Sequence, residues 1–100
     1  MRVVFADEAT DDLEEIADFI AQDSARYARL TVKELRAKAK ALSPMPEKFP
    51  VFVQRGHVVL RRRPYGEYVI FYYIVPGKRI VIARILHSAR DHERILFPEN

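Results

Sequence analysis

The sequence predicts an α+β fold in which an antiparallel helix hairpin packs on one face of a small sheet, with a short strand before it and a short helix at the end. Three observations lead there. Residues 7–42 repeat their apolar positions at helical spacing on both sides of a break at Asp23-Ser24. Residues 57–87 form three extended runs separated by Pro64-Tyr65-Gly66 and Pro76-Gly77. The order of these blocks keeps the helices together and the strands together, as layered α+β folds do. The 100 residues, 49% of them hydrophobic, suit one domain spanning 1–100 around one core.

Each element has a local reason. Arg2 to Phe5 reads as a short strand, because Val3, Val4 and Phe5 favour extended backbone. A helix begins at Ala6 or Asp7, with acidic residues crowded into the first turns where the helix dipole favours them. Leu13, Ile16, Ala17 and Ile20 face inward in this reading, and Asp11, Asp12, Glu15 and Asp18 face outward. Ser24 suits the N-cap of a second helix, whose inner face is Ala28, Thr31, Leu35, Ala39 and Leu42. Arg26, Arg29, Lys33, Arg36 and Lys40 step along it as a basic stripe, and Ser43-Pro44 ends it. The connection between the helices is very short, so they run antiparallel.

Pro44, Pro46 and Pro50 mark residues 43–56 as a loop. The extended runs 57–63, 67–75 and 79–87 then follow as neighbouring antiparallel strands, and Pro76-Gly77 suits the centre of a type II turn. Residues 68–75, YVIFYYIV, are apolar on both alternating sets, which marks a strand covered on both faces. From His87 to Leu96 the chain returns to helix, and Ser88 and Asp91 have capping-box spacing.

The net charge of +3 conceals a segregation. Residues 1–24 carry Arg2 alone against eight acidic side chains, while residues 25–63 carry eleven basic against two acidic. A basic face for an acidic partner, nucleic acid or an acidic protein segment, is one reading, and two solvated helix faces is the other. The chain has no cysteine, so disulfides, thiol nucleophiles and cysteine zinc sites are excluded. The acidic N-terminal region does not read as a signal peptide, and no run approaches the roughly 18 apolar residues of a membrane span. A soluble cytoplasmic protein without a membrane partner is expected.

The segments ADEATDDLEEIADFIAQD, YGEYVIFYYI and RILHSARD followed by ILFPE, together with the basic second helix, resemble the RelE/ParE toxin superfamily of type II toxin–antitoxin systems. The resemblance covers the whole chain and rests on the combination, above all on a strand-ending RILH that runs into SARD. The long first helix and the HSARDHERILFPE ending are closer to the ParE branch. This resemblance implies a RelE/ParE-like fold and a toxin of a plasmid-stabilisation type that inhibits DNA gyrase by binding. It further implies neutralisation by a cognate antitoxin of ribbon-helix-helix type, with operator DNA contacted only through the antitoxin complex. The alternative within the superfamily is a RelE-like ribosome-dependent mRNA endonuclease.

A metal-independent ribonuclease needs a base, an acid and cations around the phosphate. Arg84 and His87 match a RelE-like pattern on the last strand, but the remaining basic and aromatic set is missing and the tail Phe97-Pro98-Glu99-Asn100 contains no Tyr. No catalytic residue is therefore assigned unless the chain is a nuclease, in which case Arg84 and His87 carry it. Their plainer readings are a carboxylate-paired arginine and a histidine satisfying a strand–helix junction. His87, Asp91 and His92 do not match a metal-ligand spacing, and neither metal nor cofactor is expected. Arg61, Arg62, Arg63, Arg84 and Arg90 are the expected partner-binding residues. Arg61 and Arg63 share one strand face and Arg62 takes the other. Three adjacent guanidiniums call for acidic partners, although charged edge strands also prevent aggregation. Tyr65, Tyr68, Tyr72 and Tyr73 read as core or partner-contact aromatics rather than base-stacking platforms. An apolar groove beside the helix hairpin is expected to receive the antitoxin.

Overall fold

The first strand, β1 (Arg2–Phe5), pairs in parallel with the last strand, β5 (Arg79–His87), in a computed structural model that describes residues 1–98. Helices α1 (Asp7–Ala21) and α2 (Ala25–Lys40) form the hairpin that follows β1. Strands β2 (Val51–Arg55), β3 (Val58–Tyr65) and β4 (Tyr68–Val75) complete a five-stranded sheet in the order β1-β5-β4-β3-β2. The short helix α3 (His92–Leu96) closes the described chain. Glu99 and Asn100, the end of the tail singled out in the sequence, lie outside the described residues.

Local signals fix most boundaries. Ser24 caps α2, its hydroxyl accepting the Tyr27 N–H at 3.1 Å. The Lys78 N–H donates to the Val75 carbonyl across Pro76-Gly77, with Gly77 at φ +73°, as a type II turn requires. Gly66, at φ +58°, opens the two-residue loop that pairs Tyr65 with Tyr68. Pro64 therefore lies inside β3, and the turn falls after Tyr65.

Two expectations are corrected here. Residues 43–56 are not loop throughout, because β2 forms an edge strand antiparallel to β3. The three prolines hid it, and the Gly56-His57 loop that pairs Arg55 with Val58 builds it. The final helix starts at His92 rather than His87. Asp91 is its N-cap and accepts from the Arg94 N–H, while the Ser88 N–H donates to the Glu67 carbonyl and leaves Ser88 outside the helix.

The main core lies between hairpin and sheet. Ala9 and Leu13 of α1 and Leu35 and Ala39 of α2 pack with Leu42 on Ile70, Tyr72, Ile80, Ile82 and Ile85. Each large apolar side chain buried there contributes about 1.5–3 kcal/mol relative to exposure. A second cluster on the opposite sheet face joins Val69, Phe71 and Leu86 with Phe52, Ile95 and Leu96, so β4 is covered on both faces as its sequence predicts. A β-bulge shapes β5: Tyr72 pairs with Ile82 but Phe71 with Arg84, leaving Ala83 as the extra residue. Strict alternation from Ile80 and Ile82 would send Arg84 into the helix-side core. The bulge places Ile85 there instead.

Candidate functional site

The residues expected to bind partners or carry chemistry separate into distinct groups. Arg84 is committed within the fold. Its Nε and Nη2 each donate to the Asp12 carboxylate at 2.8 Å, a bidentate pair in which Asp12 is only 5% exposed. The same carboxylate accepts the Ile85 N–H at 2.9 Å. β1 ends at Phe5, with the Ala6 N–H donating to the Ile82 carbonyl, so Asp12 takes over the β5 edge where the strand partner stops. These hydrogen bonds are the largest cause that raises the Arg84 pKa above its ordinary value; burial works against them and the charges of Asp12, Glu8 and Glu15 add to them. Asp12 was expected to face solvent, and it is buried instead. Its place between Ala9, Leu13 and Ile16 on one helical face is the signal that could have shown it, since residues three and four apart share a face.

His87 stands at the end of β5, opposite Tyr68 on β4, with the two rings edge to face at 5.6 Å. Its Nδ1 accepts the Ala89 N–H at 3.1 Å, and its Nε2 lies 3.3 Å from the exposed Glu67 carboxylate. An acceptor Nδ1 places the proton on Nε2, which then donates to Glu67. Both ring nitrogens are thus engaged. His92, the first residue of α3, is buried, edge-on to Phe71 at 5.0 Å, with Nε2 2.9 Å from the His87 carbonyl oxygen. Among the described residues no three His, Asp or Glu side chains gather as a metal site.

The arginine triplet on β3 divides as strand alternation requires. Arg61, opposite Tyr72, donates Nη1 to the Phe49 carbonyl at 2.7 Å and more weakly to that of Glu47 at 3.4 Å, pinning the loop before β2. Arg63 shares its face, bonds the Pro64 carbonyl and lies over the rings of Phe49 and Tyr65. Arg62, opposite Phe71, turns to the other face and covers Phe52. The Nε atoms of Arg62 and Arg63 are buried with no acceptor among the described residues. Arg84 stands two strands away from the triplet across β4, and exposed Arg90 borders a concavity with Asp12, Glu15, Phe19 and His87. The five arginines therefore do not form a single patch.

Tyr72 is fully buried and its hydroxyl donates to the Pro46 carbonyl at 2.6 Å. Burial, the largest cause, raises its pKa, with Arg61 and Arg63 opposing. Tyr73 takes the opposite sheet face, pairing with Val81. Phe19, Tyr27 and Leu30 of the helix hairpin are exposed, and Phe19 and Tyr27 line a concavity at its tip. No helix among the described residues is long and apolar enough to cross a membrane.

Comparison with known proteins places this architecture. A chromosomal ParDE toxin–antitoxin system from P. aeruginosa contains a chain with a TM-score of 0.71 and 19% identity, covering 87% of this chain and 95% of that one. The toxin–antitoxin complex RelBE2 from Mycobacterium tuberculosis gives 0.63 and 22%, covering 86% and 95%. An archaeal RelE–RelB complex from Pyrococcus horikoshii gives 0.51 and 23%, covering 89% and 96%. At these identities the likeness is one of fold. No curated protein matches the sequence. The family described as the ParE toxin of the type II toxin–antitoxin system parDE matches residues 3–92, nearly the whole chain, and the protein belongs to that family.

Proposed function

We propose that this ParE-family toxin acts by binding, with DNA gyrase as its target, and not by cutting RNA. The observation that carries the reading is the engagement of the two residues best suited to nuclease chemistry. Arg84 is bound bidentately by buried Asp12, and His87 has one ring nitrogen accepting from Ala89 and the other against Glu67. A general base needs a nitrogen within hydrogen-bond reach of the proton it removes, and a phosphate clamp needs an unpaired cation.

In this reading a cognate antitoxin, of ribbon-helix-helix type, neutralises the toxin, in keeping with the complexes in which its structural neighbours occur. Acidic antitoxin residues would meet Arg62, Arg63 and Arg90, whose guanidiniums have fewer partners within the chain than those of Arg61 and Arg84. The protein would work in the cytoplasm, reach operator DNA only through the antitoxin complex and serve plasmid stabilisation.

The test pairs a gyrase supercoiling assay with translating ribosomes. Inhibited supercoiling with intact mRNA is the expected result. Ribosome-dependent mRNA cleavage abolished by His87→Ala, with gyrase unaffected, would replace this reading with the RelE-like endonuclease.

A further inference from the structure

The face of the helix hairpin that points away from the sheet carries two rows of opposite charge. On α1 the acidic row is Asp7, Asp11, Glu14 and Asp18, opposite buried Ala9 and Leu13. On α2 the basic row is Arg26, Arg29, Lys33 and Lys40, opposite buried Leu35 and Ala39. All of these charged side chains are exposed, and among the described residues none belongs to an ion pair. Arg36, the remaining member of the basic stripe seen in the sequence, is turned over the Phe5 ring instead. Leu30, 46% exposed, and exposed Ala37 lie one turn from Lys33 and make a narrow apolar seam beside the basic row.

The helical rise sets the two rows level with each other. Measured from the helix ends at the hairpin tip, Ala21 and Ala25, Asp18 stands at about 4.5 Å and Arg29 at about 6 Å. Glu14 and Lys33 follow at about 10.5 and 12 Å, and Asp7 and Lys40 at about 21 and 22.5 Å. Such a face is complementary to itself. A two-fold axis parallel to the helices lays α1 of one copy over α2 of the other and keeps every level, whereas an axis across them would stack like rows. We propose that this face receives a second copy of the same chain, the acidic row of each hairpin meeting the basic row of the other. A nucleic acid fits it less well, because the acids of α1 repel the phosphates that α2 would attract, and the seam at Leu30 and Ala37 suits a protein surface. Two adjacent helices about 23 Å long present a face roughly 20 Å wide, so each copy offers under about 500 Å². That is less than the roughly 800 Å² per partner of a standard interface, so the dimer is weak and depends on salt. This surface does not depend on the identity of the toxin's target.

The test is sedimentation equilibrium of the full chain with two charge-reversed variants, Glu14→Lys with Asp18→Lys and Arg29→Glu with Lys33→Glu. The unsubstituted chain is expected to self-associate at low salt, and about 500 mM salt to weaken that association at least tenfold. Each variant alone is expected to remain monomeric while melting like the unsubstituted chain, because like charges then face each other across the two-fold. An equal mixture of the two is expected to form a heterodimer, since the reversed rows complement each other and the untouched rows still do. A chain that stays monomeric up to about 1 mM at low salt overturns the proposal, as does association that neither variant changes. A mixture of two folded variants that stays monomeric overturns it as well. So does a monomeric chain whose binding to a duplex DNA probe is lost with Arg29→Glu and Lys33→Glu, which would give the basic row to nucleic acid.

Discussion

Asp12 and Arg84, 72 positions apart in the chain, meet through two 2.8 Å hydrogen bonds, and the same carboxylate holds the Ile85 N–H. One side chain thereby ties α1 to β5 at the point where β1 ends. Removing Asp12 strands a largely buried guanidinium and a buried backbone donor together. Asp12→Ala is expected to lower stability by about 3–5 kcal/mol in urea unfolding, the cost typical of breaking a buried pair from one side. Arg84→Met combined with Asp12→Leu is expected to recover only the part of that loss due to the stranded charge, because the Ile85 N–H still lacks its acceptor. A loss under about 1 kcal/mol for Asp12→Ala would mean that solvent already screens the pair.

Tyr72 sets a prediction on the alkaline side. Its folded pKa is raised by burial above the ordinary 10.0, so the unfolded chain releases this proton first. The contribution is fully present below pH 10.0 and is lost as pH rises through the folded value. Tyr72→Phe removes this alkaline loss. At neutral pH it is expected to cost about 1 kcal/mol for the part-buried hydrogen bond to Pro46. Melting curves of both proteins at neutral pH and above pH 10.0 check the sign: the difference should shrink or invert on the alkaline side.

His87 carries a prediction about toxicity. Its interactions with Ala89 and Glu67 are those of a strand-end residue, so His87→Ala should reduce growth inhibition only in proportion to lost folding. Loss of a proton-transfer group typically lowers a rate by about 10²–10⁴, a far larger effect. Growth curves on induction, normalised to soluble toxin, separate the two. A well-folded His87→Ala protein with no toxicity at all would contradict the binding reading.

The β3 triplet and Arg90 should respond differently. Arg61→Ala frees the loop that its guanidinium pins to the Phe49 carbonyl and is expected to cost about 1.5–3 kcal/mol of stability. A charge reversal at both Arg61 and Arg63 therefore tests folding as much as binding. Arg90→Glu is the cleaner probe, because Arg90 is exposed: stability should move by no more than about 0.5 kcal/mol. Antitoxin association should slow and lose salt dependence, as for charges at the rim of an interface. Unchanged association kinetics would remove Arg90 from the partner surface.

The elements themselves were written in local chemistry. Ser24 capped α2, Pro76-Gly77 turned the chain between β4 and β5, and the doubly apolar YVIFYYIV became a strand buried on both faces, because sterics, backbone hydrogen bonding and periodicity act over a few residues. The segments resembling RelE/ParE toxins were likewise readable as an ordered set. Which polar side chains are free was not. Asp12 looked like one more outward acid until an arginine on β5 and the unpaired edge of that strand drew it inward. Arg84 left the helix-side core because of a bulge at Ala83, a departure from alternation that shows only in the pairing with β4. Arg61 proved to hold a loop, and β2 emerged from a proline-rich stretch because β3 offered it a ladder. Each of these depends on partners distant in sequence, and a buried charge or open strand edge finds its complement only once the chain has folded.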